Sequence, residues 1–161
     1  MIAIDIDNVL ADLDSFIARR YKLAHWDQEK SVEIWNDLAT VDNLFYQLDV
    51  IPGSMELVDR LVWKHGTKNV EILTALPAME GQFLTAADDK KAWVADLIHP
   101  ELKVNTVVNG KNKYKFVKSS SDVLIDDSKR CILPWIDAGG VGILHTQLSS
   151  TFVKLEMIGL L

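Results

Sequence analysis

The stretch Ile2-Ala3-Ile4-Asp5-Ile6-Asp7-Asn8-Val9-Leu10-Ala11-Asp12 constrains this chain more than any other. Ile2 to Ile6 form a short, β-branched apolar run, which predicts a buried strand. The run delivers two acids at alternate positions, so in extended backbone the Asp5 and Asp7 side chains leave on the same side. Open α/β sheets bind ligands at the carboxyl ends of their strands, and an acid pair there can hold a divalent cation and a phosphate oxygen together. Turn or helix-cap duty is the plainer alternative for two aspartates. A calcium loop of the EF-hand kind is excluded, because Val9 and Leu10 stand where an oxygen ligand and a glycine are required.

The spacing of residues 13, 16, 17 and 23, with Arg19, Arg20 and Lys22 between them, predicts an amphipathic helix over Leu13 to Leu23. Residues 25–50 carry Trp26, Trp35, Phe45 and Tyr46 among many polar residues, with short helical runs near 30–38 and 42–48. That is too long for a plain connection, so 13–50 is expected to be a small helical cap on a core of 1–12 plus 51–161. Its aromatics suit either stacking on a ring-shaped ligand or a miniature core of the cap itself.

Ile51-Pro52-Gly53 marks the return, with Ser54 expected to cap a helix over 54–65 whose inner stripe is Met55, Val58, Leu61 and Val62. A second strand, Val70 to Thr74, ends in a hydroxyl, and Pro77 and Gly81 mark a loop. A helix follows over 88–98, carrying Lys90 and Lys91 and turning Trp93, Val94, Leu97 and Ile98 inward. Strand 104–108 leads to Asn109-Gly110 and the run Lys111, Lys113, Lys115, Lys118, and strand 122–125 runs into Asp126-Asp127. Helix 128–138, strand 141–144 and a helix over 149–158 complete the chain. This alternation predicts an α/β fold: a Rossmann-like parallel five-stranded sheet with helices on both faces and a small helical cap inserted after the first strand.

A net charge of −6 argues against a protein that grips nucleic acid by its backbone. A small anionic substrate is compatible if a metal and a few lysines neutralise it locally. The single cysteine, Cys131, excludes an internal disulfide, fits a reducing compartment and is expected in the core of a helix. No apolar run approaches membrane-spanning length, so the chain is expected to be cytoplasmic.

The strand ends together present Asp5 and Asp7, then Thr74, then a lysine ahead of Asp126 and Asp127. Such oxygen-only acidic donors suit Mg²⁺, which keeps part of its shell for phosphate and water. A hydroxyl and an ammonium can hold the remaining phosphate oxygens.

In this order the residues resemble the haloacid dehalogenase-like phosphatases. Asp5-Ile-Asp7-Asn-Val9 is similar to that family's first motif, Thr74 in Ile-Leu-Thr to the second, a lysine near 115 to the third and Asp126-Asp127 to the fourth. Asp-x-Asp-x-Val-Leu-Ala-Asp at 5–12, Phe45-Tyr46 leading to Ile51-Pro52-Gly53, Lys90-x-Ala-Trp93-Val94 and Leu124-Ile-Asp-Asp127 are similar to runs in the 5'(3')-deoxyribonucleotidases. The resemblance implies that Asp5 is a nucleophile forming an aspartyl-phosphate and that Asp7 is general acid, then base. It implies Mg²⁺ held by the Asp5 carboxylate, the Asp7 carbonyl and Asp126 or Asp127, with Thr74, Lys115 and also Lys90 on the phosphate. Phe45, Tyr46, Trp26 and Trp35 become candidates to contact a nucleobase. Asn8 stands where the family commonly has glycine, and Ala75 and Leu76 follow Thr74 where a small hydroxyl residue or glycine is expected. The third-motif lysine is open among Lys113, Lys115 and Lys118, with the spacing to Asp126 favouring Lys115.

The expected ligand is a small phosphomonoester, a deoxyribonucleoside monophosphate foremost, with no nucleic-acid duplex and no membrane; a homodimer is left open. Two further readings keep the chemistry and change the substrate, to a sugar phosphate or a nucleic-acid 3'-phosphate end. A receiver-like binding module needs an aspartate after the third strand, where Asn109-Gly110 stands.

Overall fold

The N-terminal apolar run forms strand β1 (Ile2–Ile4) at the centre of a five-stranded sheet in the computed structural model, which describes residues 1–24, 32–79 and 81–161. β1 lies between β2 (Val70–Leu76) and β4 (Val123–Asp126), with β3 (Lys103–Val108) outside β2 and β5 (Val141–Leu144) outside β4. Every neighbouring pair is parallel, and Ile4 sits level with Ile72 on one side and Ile125 on the other. The chain builds outward from β1 through β2 to β3, then returns to lay β4 and β5 on the opposite side. That reversal opens a crevice beyond the carboxyl ends of β1 and β4.

Strand period then sorts the side chains onto two faces. Ala3, Leu73 and Leu124 meet Cys131, Ile132 and Trp135 of helix α5 (Lys129–Asp137). Ile2, Ile4, Ile72, Val123 and Ile125 point the other way, in one cluster with Leu57, Val58 and Leu61 of α3 (Ser54–His65), Trp93 and Val94 of α4 (Ala86–Leu97) and Leu155 of α6 (Leu148–Met157). Leu13 and Ile17 of α1 (Leu13–Tyr21), Leu38 of α2 (Val32–Leu38) and Leu44, Phe45 and Leu48 of a 3₁₀ segment (Leu44–Gln47) join that same cluster.

β1 ends two residues before the expected Ile6 because Ile6 turns the chain: its carbonyl accepts from the N–H groups of Val9, Leu10 and Ala11 at 3.2, 2.9 and 2.9 Å. Asn8 sits in this turn at φ 59°, a left-handed angle that asparagine tolerates better than most residues. Ser54 is not the cap of α3. Gly53, at φ 87°, occupies that position, and the buried Ser54 hydroxyl donates to the Leu10 carbonyl at 3.3 Å. Met55 and Leu97, expected inward, face solvent at 46% and 39% exposure, while Ile98 is buried just past the end of α4. Trp26 lies outside the described residues. Among the described residues no helix is long and apolar enough to cross a membrane.

Candidate active site

Because β1 and β4 are adjacent and in register, the residues that leave their carboxyl ends are neighbours. Asp5, Asp126 and Asp127 bring carboxylate oxygens within 4.8 Å of one another. A single cation holds two of them: Lys113 Nζ lies 2.9 Å from Asp5 Oδ1 and 2.6 Å from Asp126 Oδ2, its side chain fully buried. Asp5 Oδ1 also accepts from the Ile6 N–H at 2.8 Å, and Asp5 Oδ2 has no hydrogen-bond partner among the described residues. Both Asp126 oxygens are engaged, Oδ1 by the Ser128 N–H at 2.9 Å. Asp127 is the freer acid: among the described residues its Oδ2 alone accepts, at 3.2 Å from Asn8 Nδ2. Asn8 also donates to Asp14 Oδ1 at 3.0 Å and accepts from the Asp14 N–H at 3.0 Å, so its amide bridges the first loop to the acid cluster.

The structure sets Lys113 among the acids, where the spacing favoured Lys115. Lys113, Lys115 and the turn before them lie in a 3₁₀ segment (Gly110–Phe116), where side chains three apart share a face. Gly110, Lys113 and Phe116 form the inner face, and Lys115 is exposed and does not line the cleft; Lys118 lies beyond the segment and is exposed as well. Gly110 permits this packing, since a Cβ there would meet Cys131 Sγ at 2.6 Å. Cys131 is free and buried as expected, and burial first, then the Asp126 charge, pushes its thiol up to about 12.

Thr74 and Lys90, both expected at the phosphate, are brought together and bond each other. Lys90 Nζ, fully buried, donates to Asp7 Oδ2 at 2.5 Å, Thr74 Oγ1 at 2.9 Å and the Ala75 carbonyl at 3.0 Å, and lies 4.6 Å from the Phe45 ring centre. Its three protons are thus spent on protein groups. Thr74 is fully buried beneath it and does not line the cleft. Asp7 turns its other oxygen, Oδ1, into a buried position without a partner.

Charge is crowded here. Burial, with Asp5 and Asp126 adding to it, pushes the Asp127 carboxyl up to about 7. Burial and the Asp5 charge push Asp126 up to about 6 against the pull of Lys113. Asp7 is raised by burial, with Lys90 opposing and Asp5 assisting. Burial lowers Lys113, but the Asp5 and Asp126 charges outweigh it and hold the ammonium firmly protonated.

Above this floor opens a cleft of about 890 Å³, lined by all five groups (Asp5, Asp7, Lys113, Asp126 and Asp127) together with Trp35 and Phe45. Phe83, which the sequence reading did not single out, stacks edge-on to Trp35 with centres 5.8 Å apart and lies 6.0 Å from Phe45. Tyr46 is placed elsewhere: its hydroxyl donates to Asp96 on the surface of α4 at 3.0 Å, and it does not line the cleft. The Trp93 indole N–H donates to the Leu48 carbonyl at 2.8 Å, which pins the segment carrying Phe45 to α4.

No protein-family model matches the chain, and no curated protein matches it significantly in sequence. Solved structures do resemble it. One is described as a hydrolase from Streptococcus pneumoniae TIGR4, similar with a TM-score of 0.57 and 12% identity over 96% of this chain and 97% of that one. Another is a hydrolase of the haloacid dehalogenase-like family from Streptococcus pneumoniae, with a TM-score of 0.50 and 10% identity over 95% of this chain and 89% of that one. At such identities the likeness shows the fold: an α/β chain with an all-parallel five-stranded sheet flanked by helices.

Proposed function

We propose that this chain is a magnesium-dependent phosphomonoesterase that hydrolyses nucleoside monophosphates, deoxyribonucleotides foremost, through an aspartyl-phosphate on Asp5. One observation carries the reading: the oxygens of Asp5, Asp126 and Asp127 converge within 4.8 Å at the end of the two central strands, with Lys113 buried among them. Three carboxylates with no nitrogen or sulfur donor fit Mg²⁺, with Asp127 offering an uncommitted oxygen beside Asp5. When bound, the ion offsets the repulsion between a phosphate dianion and an anionic nucleophile.

The chain's own groups supply the rest. Asp5 Oδ2, with no hydrogen-bond partner among the described residues, attacks phosphorus as the ester P–O bond breaks. Lys113 orients the Asp5 carboxylate through Oδ1 and offsets charge on the incoming phosphoryl group. Asp7 gives its proton to the departing alkoxide, which leaves as the alcohol. It then takes a proton from the water that attacks the acyl phosphate, releasing inorganic phosphate and restoring Asp5. Lys90 acts through Asp7 as a positioning residue, and Thr74 acts through Lys90. Trp35 and Phe45 form an apolar wall for a base, within a cap of residues 13–50.

The test is phosphate release from dUMP or dTMP with Mg²⁺. Release is expected to vanish with EDTA and with Asp5→Asn. Activity that survives Asp5→Asn rejects the nucleophile assignment.

A further inference from the structure

The cleft has a cationic rim that the proposed chemistry leaves unused. Lys111, Lys129 and Arg130 line it, all three exposed, and none makes a side-chain hydrogen bond or ion pair among the described residues. Some exposed cations elsewhere are answered by acids, Arg19 by Asp49 and Arg60 by Glu56, each at 2.6 Å, Lys103 by Glu71 at 3.7 Å and Lys91 by Asp88 at 3.8 Å. Lys22, Lys68, Lys115 and Lys118 have no ion pair among the described residues, but none of these four lines the cleft, so what sets the rim apart is three such cations gathered there. The 3₁₀ segment and α5, which carry the rim, pack against each other, and residues 109–121 and 128–136 contain no acid at all in a chain of net charge −6. The rim is not needed to balance the floor either, where Lys90 serves Asp7 and Lys113 serves Asp5 and Asp126.

We infer that the substrate carries a second phosphate group, which Lys111, Lys129 and Arg130 hold at the rim while the first lies at Asp5. The inference rests on the phosphatase reading of the floor and revises its substrate, from a nucleotide with one phosphate to one with two. A guanidinium takes a phosphate through paired N–H donors and two lysines add mobile point charges, a set matched to a dianion or a diester. The cleft, at about 890 Å³, is large enough for a nucleotide with an added phosphate. The second phosphate has two sources of the same chemistry: a nucleoside bisphosphate, or the neighbouring diester of a single strand that ends in a phosphate.

Calorimetric binding with Mg²⁺ on the Asp5→Asn chain compares thymidine 5'-monophosphate, thymidine 3',5'-bisphosphate and short thymidylate strands with a terminal phosphate. The bisphosphate is expected to bind roughly tenfold more tightly than the monophosphate at low salt, with the gap shrinking as salt is added. In the Lys129→Ala/Arg130→Ala double variant the gap closes to roughly twofold or less. Lys68→Ala, an exposed lysine outside the cleft, keeps the gap. Both length outcomes support the rim: affinity that climbs with strand length assigns the second phosphate to a strand, and a plateau at the bisphosphate assigns it to a small molecule. Equal affinity for mono- and bisphosphate, or a preference that survives the double variant, overturns the inference. Phosphate release by the native chain is followed in parallel: if no compound is hydrolysed the phosphatase reading fails, while the binding comparison still decides the rim.

Discussion

Lys113 Nζ lies 2.6 Å from Asp126 Oδ2 with neither side chain exposed to solvent, and the same ammonium reaches Asp5 at 2.9 Å. Charges so buried are tolerated only when paired, so the turn after β3 becomes the clasp between the acids of β1 and β4.

Removing that clasp leaves two carboxylates without their cation. Lys113→Met is expected to lower stability by about 3–5 kcal/mol, as breaking a buried pair does. Lys115→Ala, at an exposed position, is expected to stay within about 0.5 kcal/mol of the native chain. Urea denaturation in EDTA measures both, and equal effects would return the choice between the two lysines to an open question.

Lys90 separates two roles by kinetics. If it positions Asp7, Lys90→Met lowers kcat on the order of 10²-fold with a smaller change in KM, because proton transfer to the leaving oxygen is what suffers. A rise in KM at unchanged kcat would instead make Lys90 a phosphate ligand. The stability loss is modest, about 1–3 kcal/mol, since Thr74 loses its partner while Asp7 remains 21% exposed at the cleft.

The aromatic wall predicts a contrast between two aromatics of the same stretch, Trp35 and Tyr46. Trp35→Ala is expected to raise KM for deoxyribonucleotides roughly tenfold while leaving small phosphate esters nearly unaffected, as loss of a stacked ring does. Tyr46→Phe removes a hydroxyl that, among the described residues, meets only Asp96 at the surface, and should change neither KM nor stability measurably. Steady-state assays on both substrate classes decide it.

Magnesium should stabilise the fold by mass action. At about a hundredfold over its Kd the gain is about 2.7 kcal/mol, read as a rise in Tm. Asp127→Asn is expected to abolish most of that rise. Without metal the same variant should be no less stable than the native chain at pH 8. The Asp127 pKa of about 7 lies above its ordinary value, so ionising the group in the fold is unfavourable and the native chain loses stability as pH rises through 7. A thermal scan with and without Mg²⁺ reads both effects.

Much of the architecture was legible along the chain. The β-branched runs at 2–6, 70–74, 104–108 and 141–144, separated by helices with a 3.6-residue stripe, allow little besides a covered parallel sheet, because both faces of such strands must be buried. The acids that end β1 and β4 were legible for the same reason: strand ends are marked by the switch from apolar to polar residues. What failed locally failed where side chains at equal spacing compete. Ser54 has a capping side chain, but Gly53 reaches the left-handed angle at that turn and Ser54 bonds Leu10 instead.

The sequence by itself determined which strands form and which acids and hydroxyls stand at their ends, because apolar period and strand polarity are local properties. Only the tertiary structure decided that Lys113 faces the acids and Lys115 faces water, that Lys90 spends its protons on Asp7 and Thr74, and that Asn8 reaches Asp127. Those outcomes hang on a three-residue turn packed against Cys131 and on strands that are neighbours in space at more than a hundred residues' separation. No one-dimensional pattern records such a meeting, since it arises from burying the two faces of one sheet.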